Sequence, residues 1–208
     1  MANTYFYGFR MYRTPGDTSS PPVEEMTVAT TYQAQDDGAG FSVDLNIGDP
    51  VDLVALGTVG LANGGETPYG IIVGIRQYWD GSVIVPAATS LPGGTAWGTI
   101  LQRSSIVLVT PVSACDWRIC VDDATTATTE TAYRNLRGKN AVHTCVGVSA
   151  TAEAVPRLDI TTATTATHEW RIVGVPTGQD YASANVEVVV RANFSSEPGW
   201  PATPSVGV

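Results

Sequence analysis

Apolar and polar positions alternate with a period of two along much of the chain. Phe41, Val43, Leu45 and Ile47 take turns with Ser42, Asp44 and Asn46, the pattern of a strand with one buried face. Gly48-Asp49-Pro50 supplies a turn, and Val51–Leu56 is apolar again. Ala62-Asn63-Gly64-Gly65 is a hairpin-type break. Tyr69–Trp79 is apolar at successive positions for part of its length, as expected of a strand buried on both faces, and Asp80-Gly81 turns it into Ser82–Val85. Beyond the Leu91-Pro92-Gly93-Gly94 turn, the pattern predicts strands at Thr95–Leu101, Ser105–Val109, Asp116–Val121, Ala166–Val175 and Asn185–Asn193. In the last of these, Val186, Val188 and Val190 share one face.

One segment reads differently. Thr129–Arg137 is rich in helix formers, places Tyr133 and Leu136 on one face, and is followed by Gly138 where a helix-terminating glycine belongs. Threonines and aspartates ahead of it offer N-caps. Many short strands, frequent turns and one short helix predict an all-β protein, an antiparallel barrel or sandwich. The expected organisation is an extended N-terminal arm and linker (residues 1–40), a β domain (41–196) and a Pro/Gly-rich tail (197–208). Thr125–Thr131 and Thr161–Thr167 could suggest an internal repeat, but no matching strand pattern surrounds both, so none is claimed from them.

The arm is defined by its aromatics. Tyr5, Phe6, Tyr7, Phe9, Met11 and Tyr12 crowd the first dozen positions, and a turn-forming Thr14–Pro22 linker follows. Such a cluster must be covered. Two covers fit the pattern: a partner surface, with all six residues as capsid or oligomer contacts, or the domain's own core.

Composition narrows the function classes. Of the 208 residues, 43% are hydrophobic and 15% charged, and the formal net charge is −9. The hydrophobic share is too high for a disordered chain, and the charge is low, as in proteins that hide surface against partners. No basic run provides a footprint for phosphates, so neither nucleic acid nor an anionic membrane is an expected partner. The start, MANTYFYGFRMYR, lacks the basic and apolar regions of a signal peptide, and no stretch approaches ~18 consecutive apolar residues. A chain made in a cytoplasm, with three cysteines as free thiols, is expected.

Candidate chemistry is sparse. Cys115, Cys120, His143 and Cys145 are the best metal-ligand set, but the C-x4-C and H-x-C spacings do not form a zinc knuckle, and Cys115 and Cys120 fall on opposite strand faces. Buried structural thiols are the expectation, ahead of zinc or a Cys115–Cys120 disulfide. Gly147-Val148-Ser149-Ala150-Thr151 lacks the last glycine of a nucleophile elbow, and His168 lies in an alternating strand pattern, so no triad is read. Asp36-Asp37 reads as a solvated loop and Asp122-Asp123 as helix-capping charge; neither belongs to a calcium loop. Trp79, Trp97, Trp117, Trp170 and Trp200 are candidates for a sugar platform, with core packing expected of Trp117 and Trp170. No enzyme activity, metal or cofactor is expected.

The run Gly48-Asp49-Pro50-Val51-Asp52-Leu53-Val54, then Pro68-Tyr69-Gly70-Ile71-Ile72-Val73-Gly74-Ile75, resembles the small β-barrel capsid decoration (cement) proteins of tailed bacteriophages. Leu91–Thr95, Trp117-Arg118-Ile119 leading to Asp122-Asp123, and Ala184-Asn185 before a Val-rich final strand extend the likeness over residues 45–193. The resemblance implies a structural protein of the virion. It would be a trimer or similar oligomer on the outer capsid surface, bound to the major capsid protein and locking neighbouring coat subunits. The chain is longer than the smallest members, and its helix and aromatic arm are additions to them. A tail or head-fibre module that binds a receptor or carbohydrate is the alternative.

Overall fold

The computed structural model describes residues 8–13, 20–28, 45–54, 57–62, 64–65, 68–79, 83–88, 90–91, 105–122, 127–148, 152–165, 167–183 and 185–193. In chain order the strands are β1 (Arg10–Arg13), β2 (Glu24–Thr27), β3 (Leu45–Asn46), β4 (Pro50–Val54), β5 (Thr58–Leu61), β6 (Gly70–Trp79), β7 (Ile84–Pro86), β8 (Ser90–Leu91), β9 (Ile106–Pro111) and β10 (Asp116–Cys120). After helix α1 (Glu130–Arg134) come β11 (Asn140–Val148), β12 (Ala152–Thr164), β13 (Trp170–Gly174) and β14 (Glu187–Ala192). The all-β, antiparallel, one-helix expectation holds. The helix is shorter than the sequence pattern, starting at an N-cap where Thr129 Oγ1 accepts from the Ala132 N–H at 3.2 Å. The expected strands at 41–44 and Thr95–Leu101 lie outside the described residues.

Two sheets carry the fold. One runs β2-β9-β6-β4-β5, with β7 beside β6; the other runs β1-β10-β14-β13-β11-β12. If β1 and β7 are set aside, and each sheet's five remaining strands are numbered along the chain, both sheets read first, fifth, fourth, second, third. The registers agree as well. In the first unit Ile72 faces Val109 and Gly74 faces Leu108, with Val73 bulged between; in the second Ile172 faces Val190 and Gly174 faces Val189, with Val173 bulged between. Leu53 opposite Val59 corresponds to His143 opposite Leu158. Each sheet curls until its first strand meets its third at a single parallel bridge, Val28–Val59 in one and Val121–Leu158 in the other, short of a closed barrel.

The turns match too. The N–H of Gly48 donates to Ile72 O at 2.8 Å, and that of Gly138 to Ile172 O at 2.8 Å. Both glycines have positive φ, +99° and +88°, which a turn of this hand requires. The described strands of the two large sheets, β1 and β7 apart, therefore form two copies of one five-stranded unit, a repeat not claimed from the sequence. The two Thr-rich stretches are not equivalent positions: Thr161–Thr164 end β12, whereas Thr129 caps α1. The shared features are backbone hydrogen bonds, which few side-chain identities report.

Each unit has its own core. Leu45, Val51, Val59, Ile72, Val107 and Val109 cluster in the first. Trp117, Ile119, Leu158, Ile172, Val188 and Val190 cluster in the second, with Tyr133 and Leu136 of the helix segment packed on them. Val186, Val188 and Val190 are all buried, as their alternation implies.

Candidate interaction surface

The aromatic N-terminal segment divides into three fates. Tyr5, Phe6 and Tyr7 lie outside the described residues. Phe9 is 3% exposed and belongs to the second unit's core. Its ring lies 4.4 Å from that of Trp170 and meets His143 edge-on at 6.1 Å, while its N–H donates to Gly48 O at 2.7 Å. Of the two covers open to the aromatics, Phe9 takes the intramolecular one. An apolar ring gains more from a permanent seat between two units than from waiting in water.

Met11 and Tyr12 have the opposite fate: each is 43% exposed. Both sit on β1, which is not a free arm but an edge strand paired to β10, with Arg10 opposite Arg118 and Met11 opposite Trp117. The β2 segment likewise belongs to a sheet, through β9. The described parts of residues 1–40 are thus integral strands. Side chains lock β1 in place. The Arg118 guanidinium stacks over the Tyr12 ring at 4.6 Å, and Arg10 pairs with Glu187. Arg13 Nε and Arg191 Nε donate to opposite oxygens of Asp116 at 2.8 and 2.7 Å. Burial pushes the Asp116 carboxyl up, but the hydrogen bonds and charges of Arg191 and Arg13 outweigh it and hold it below the usual carboxylate range. The same bonds raise Arg191. The outer edge of β1 has no strand partner among the described residues.

Beside the Phe9 ring lies a buried polar joint. Glu169 Oε1 accepts from the His143 N–H at 3.0 Å and the Gly65 N–H at 3.1 Å, and lies 3.0 Å from His143 Nδ1. His143 Nε2 is 2.8 Å from Ala62 O, a carbonyl that can only accept. Nε2–H therefore donates to Ala62 O, which leaves Nδ1 as an acceptor. Trp170 Nε1–H also points at Nδ1, at 3.1 Å. His143 and Glu169 are 0% and 1% exposed, and Ala62 and Gly65 come from the first unit, so this network joins the two units. Nothing in the sequence paired His143 with Glu169, and the glycine break at 64–65 was readable only as a turn.

The remaining candidates are dispersed. Cys115 is buried, and burial, then the Asp116 charge, pushes its thiol up to about 12. The Cys120 thiol is also raised by burial. The side chain of Cys145 lies outside the described set, His143 is committed to the joint, and no group of three or more potential ligands occurs among the described residues. His168 gives its carbonyl to Asn193 Nδ2 at 2.9 Å, while Ser149, Asp36, Asp37 and Asp123 lie outside the described residues. Trp117 and Trp170 are fully buried, which removes them from any sugar platform; Trp97, Trp200 and the Trp79 side chain lie outside the described set. No described helix is long and apolar enough to cross a membrane. No protein-family model, curated protein or solved structure matches the chain.

Proposed function

We propose that the chain is a structural, non-catalytic protein of a tailed-phage particle. It sits on the outer capsid surface as an oligomer, a trimer by the resemblance, and clamps neighbouring subunits of the major capsid protein. The observation that carries this reading is the β1 edge. It presents Met11 and Tyr12 to solvent on a strand whose outer backbone edge is unpaired among the described residues, yet its other side is fastened by Phe9, Asp116 and Glu187. A rigid edge with apolar side chains adds a strand from a partner or packs on its surface. The duplicated body and its buried joint suit a clamp, because the two halves hold one relative geometry under load.

The test mixes the purified chain with capsids lacking it, then pellets and images them. Bound density on the outer surface, reduced at least tenfold by Met11→Asp with an unchanged melting temperature, is the expected result. Capsids that stay bare with the wild-type chain overturn the proposal.

A further inference from the structure

The two units differ where β13 bulges. In the first unit Leu108 leans on the equivalent glycine: a Cβ built on Gly74 would meet Leu108 Cδ1 at 3.1 Å. In the second unit the residue facing Gly174 is the shorter Val189, and the nearest atom to a Cβ there lies 3.6 Å away. An open groove of about 370 Å³ occupies this place. Val173, Gly174, Val175, Pro176 and Val189 form its apolar side. Tyr12, Arg13, Arg134 and Arg137 form the rest.

Three guanidinium groups on one groove are unexpected in a chain with only 11 Lys and Arg and a net charge of −9. Arg13 is held by Asp116, and Arg134 by Glu130 at 2.9 Å, which fixes where these two forks point. The Arg137 side chain has no ion pair or hydrogen bond to a described residue. Guanidinium forks match carboxylates in shape and charge, and a tyrosine beside them adds contact area at small entropic cost.

We propose that this groove is a docking site for an acidic peptide segment of a partner protein. Carboxylates of the segment pair with Arg13, Arg134 and Arg137, and an intervening apolar side chain lies on the Val173–Pro176 floor. Charge complementarity chooses the occupant. Guanidinium groups gathered on one groove draw carboxylates at short range, so the matching segment is acidic. A groove that is apolar on one side and cationic on the other also selects a sequence with both kinds of residue. The inference goes beyond the capsid reading; the groove shares Tyr12 with the β1 edge, but its test uses the isolated chain and needs no capsid.

The probe is a blocked hexapeptide of alternating Glu and Leu, titrated into the full-length chain by calorimetry, beside its Lys/Leu counterpart and free adipate. The acidic peptide should bind, and at least tenfold more weakly when salt rises from 50 to 300 mM, in keeping with screened ion pairs. Arg137→Ala should weaken it about tenfold. Val189→Leu should weaken it similarly by filling the floor, without loss of fold, because the first unit houses a leucine at that position. No binding of the peptide, equal binding of the Lys/Leu peptide, adipate binding as tight as the peptide, or a Val189→Leu chain that binds normally would each overturn the assignment.

Discussion

Replacing Phe9 with Ala separates a docked strand from a free arm. The ring is 3% exposed, lies 4.4 Å from Trp170, and stands between Gly48 of the first unit and His143 of the second. Removing a buried phenylalanine costs about 3–5 kcal/mol through lost transfer energy and the cavity left behind. The contact with Trp170 accounts for roughly 0.5–1.5 kcal/mol of aromatic pairing within that range. The site has limited freedom to collapse, because the neighbouring glycines are tightly enclosed: a Cβ at Gly8 would lie 2.4 Å from Pro156 Cγ. At roughly 2–4 °C per kcal/mol for a chain of this size, the melting temperature should fall by about 6–20 °C. Differential scanning calorimetry of the purified protein reads this directly, and a truncation ending before residue 8 serves as the companion. The truncated chain should keep most of its stability, since Phe9 and β1 remain. If Phe9→Ala melts within 2 °C of wild type, the ring does not hold the units together and the segment behaves as an arm.

The buried joint should be equally sensitive. Glu169→Ala strands the His143 and Gly65 donors and should cost about 3–5 kcal/mol by urea denaturation, whereas Glu169→Gln, which keeps the acceptor oxygen, should cost less than half as much. Asp116 sets an acid limb. Its folded pKa lies below its unfolded value of about 3.9, so its stabilisation is present above pH ~4 and is lost as pH falls through the folded value. Asp116→Asn should therefore lower stability at pH 7 by about 1–2 kcal/mol, the low end because solvent screens the half-exposed Arg13 and Arg191. The gap from wild type should narrow by pH 3 in pH-dependent melting curves. Gly48→Ala and Gly138→Ala both force alanine into positive φ at about 1–2 kcal/mol each, and Gly48→Ala should cost more because its Cβ would lie 2.9 Å from Gly8 N. Equal midpoints for the two alanine variants in chemical denaturation would contradict the packing of residue 8 on that turn.

What the sequence made legible follows from the strength of local signals. Tyr69–Trp79, Ser105–Val109, Asp116–Val121 and Asn185–Asn193 were readable because β-branched runs lie between clear turns. The Asn140–Thr164 hairpin was not, since His143, Arg157 and Asp159 interrupt its alternation and Pro156 argues against a strand. The structure tolerates Pro156 because β12 is an edge strand, where one side of the ladder needs no N–H. Phe9, Met11 and Tyr12 form one cluster by composition, but their burial differs because Phe9 precedes β1 and enters the core, whereas Met11 and Tyr12 lie on the edge strand. The joint was invisible for a related reason: its members come from both units, and only their docking brings Gly65 to Glu169.

The duplication turns these scattered features into one argument. Because the two units share their ladders, a position where they differ in chemistry marks a demand that the scaffold itself does not make. His143 occupies the place of Leu53, and Glu169 that of Tyr69, as the matching bonds Val112 N–H to Tyr69 O and Asn193 N–H to Glu169 O show. In the first unit both places are apolar or aromatic and pack in a core. In the second they form the polar joint, where the alternative acceptors and donors come from the first unit. The pair bridges the two units, and a buried polar network is more demanding of geometry than an interchangeable apolar contact. The exchange of Leu108 for Val189 follows the same logic at the surface. It leaves a shorter side chain, itself buried, beside a groove lined by three arginines. A shorter side chain placed beside collected charge suits a docking site, and the leucine of the first unit is the internal control for the filled form.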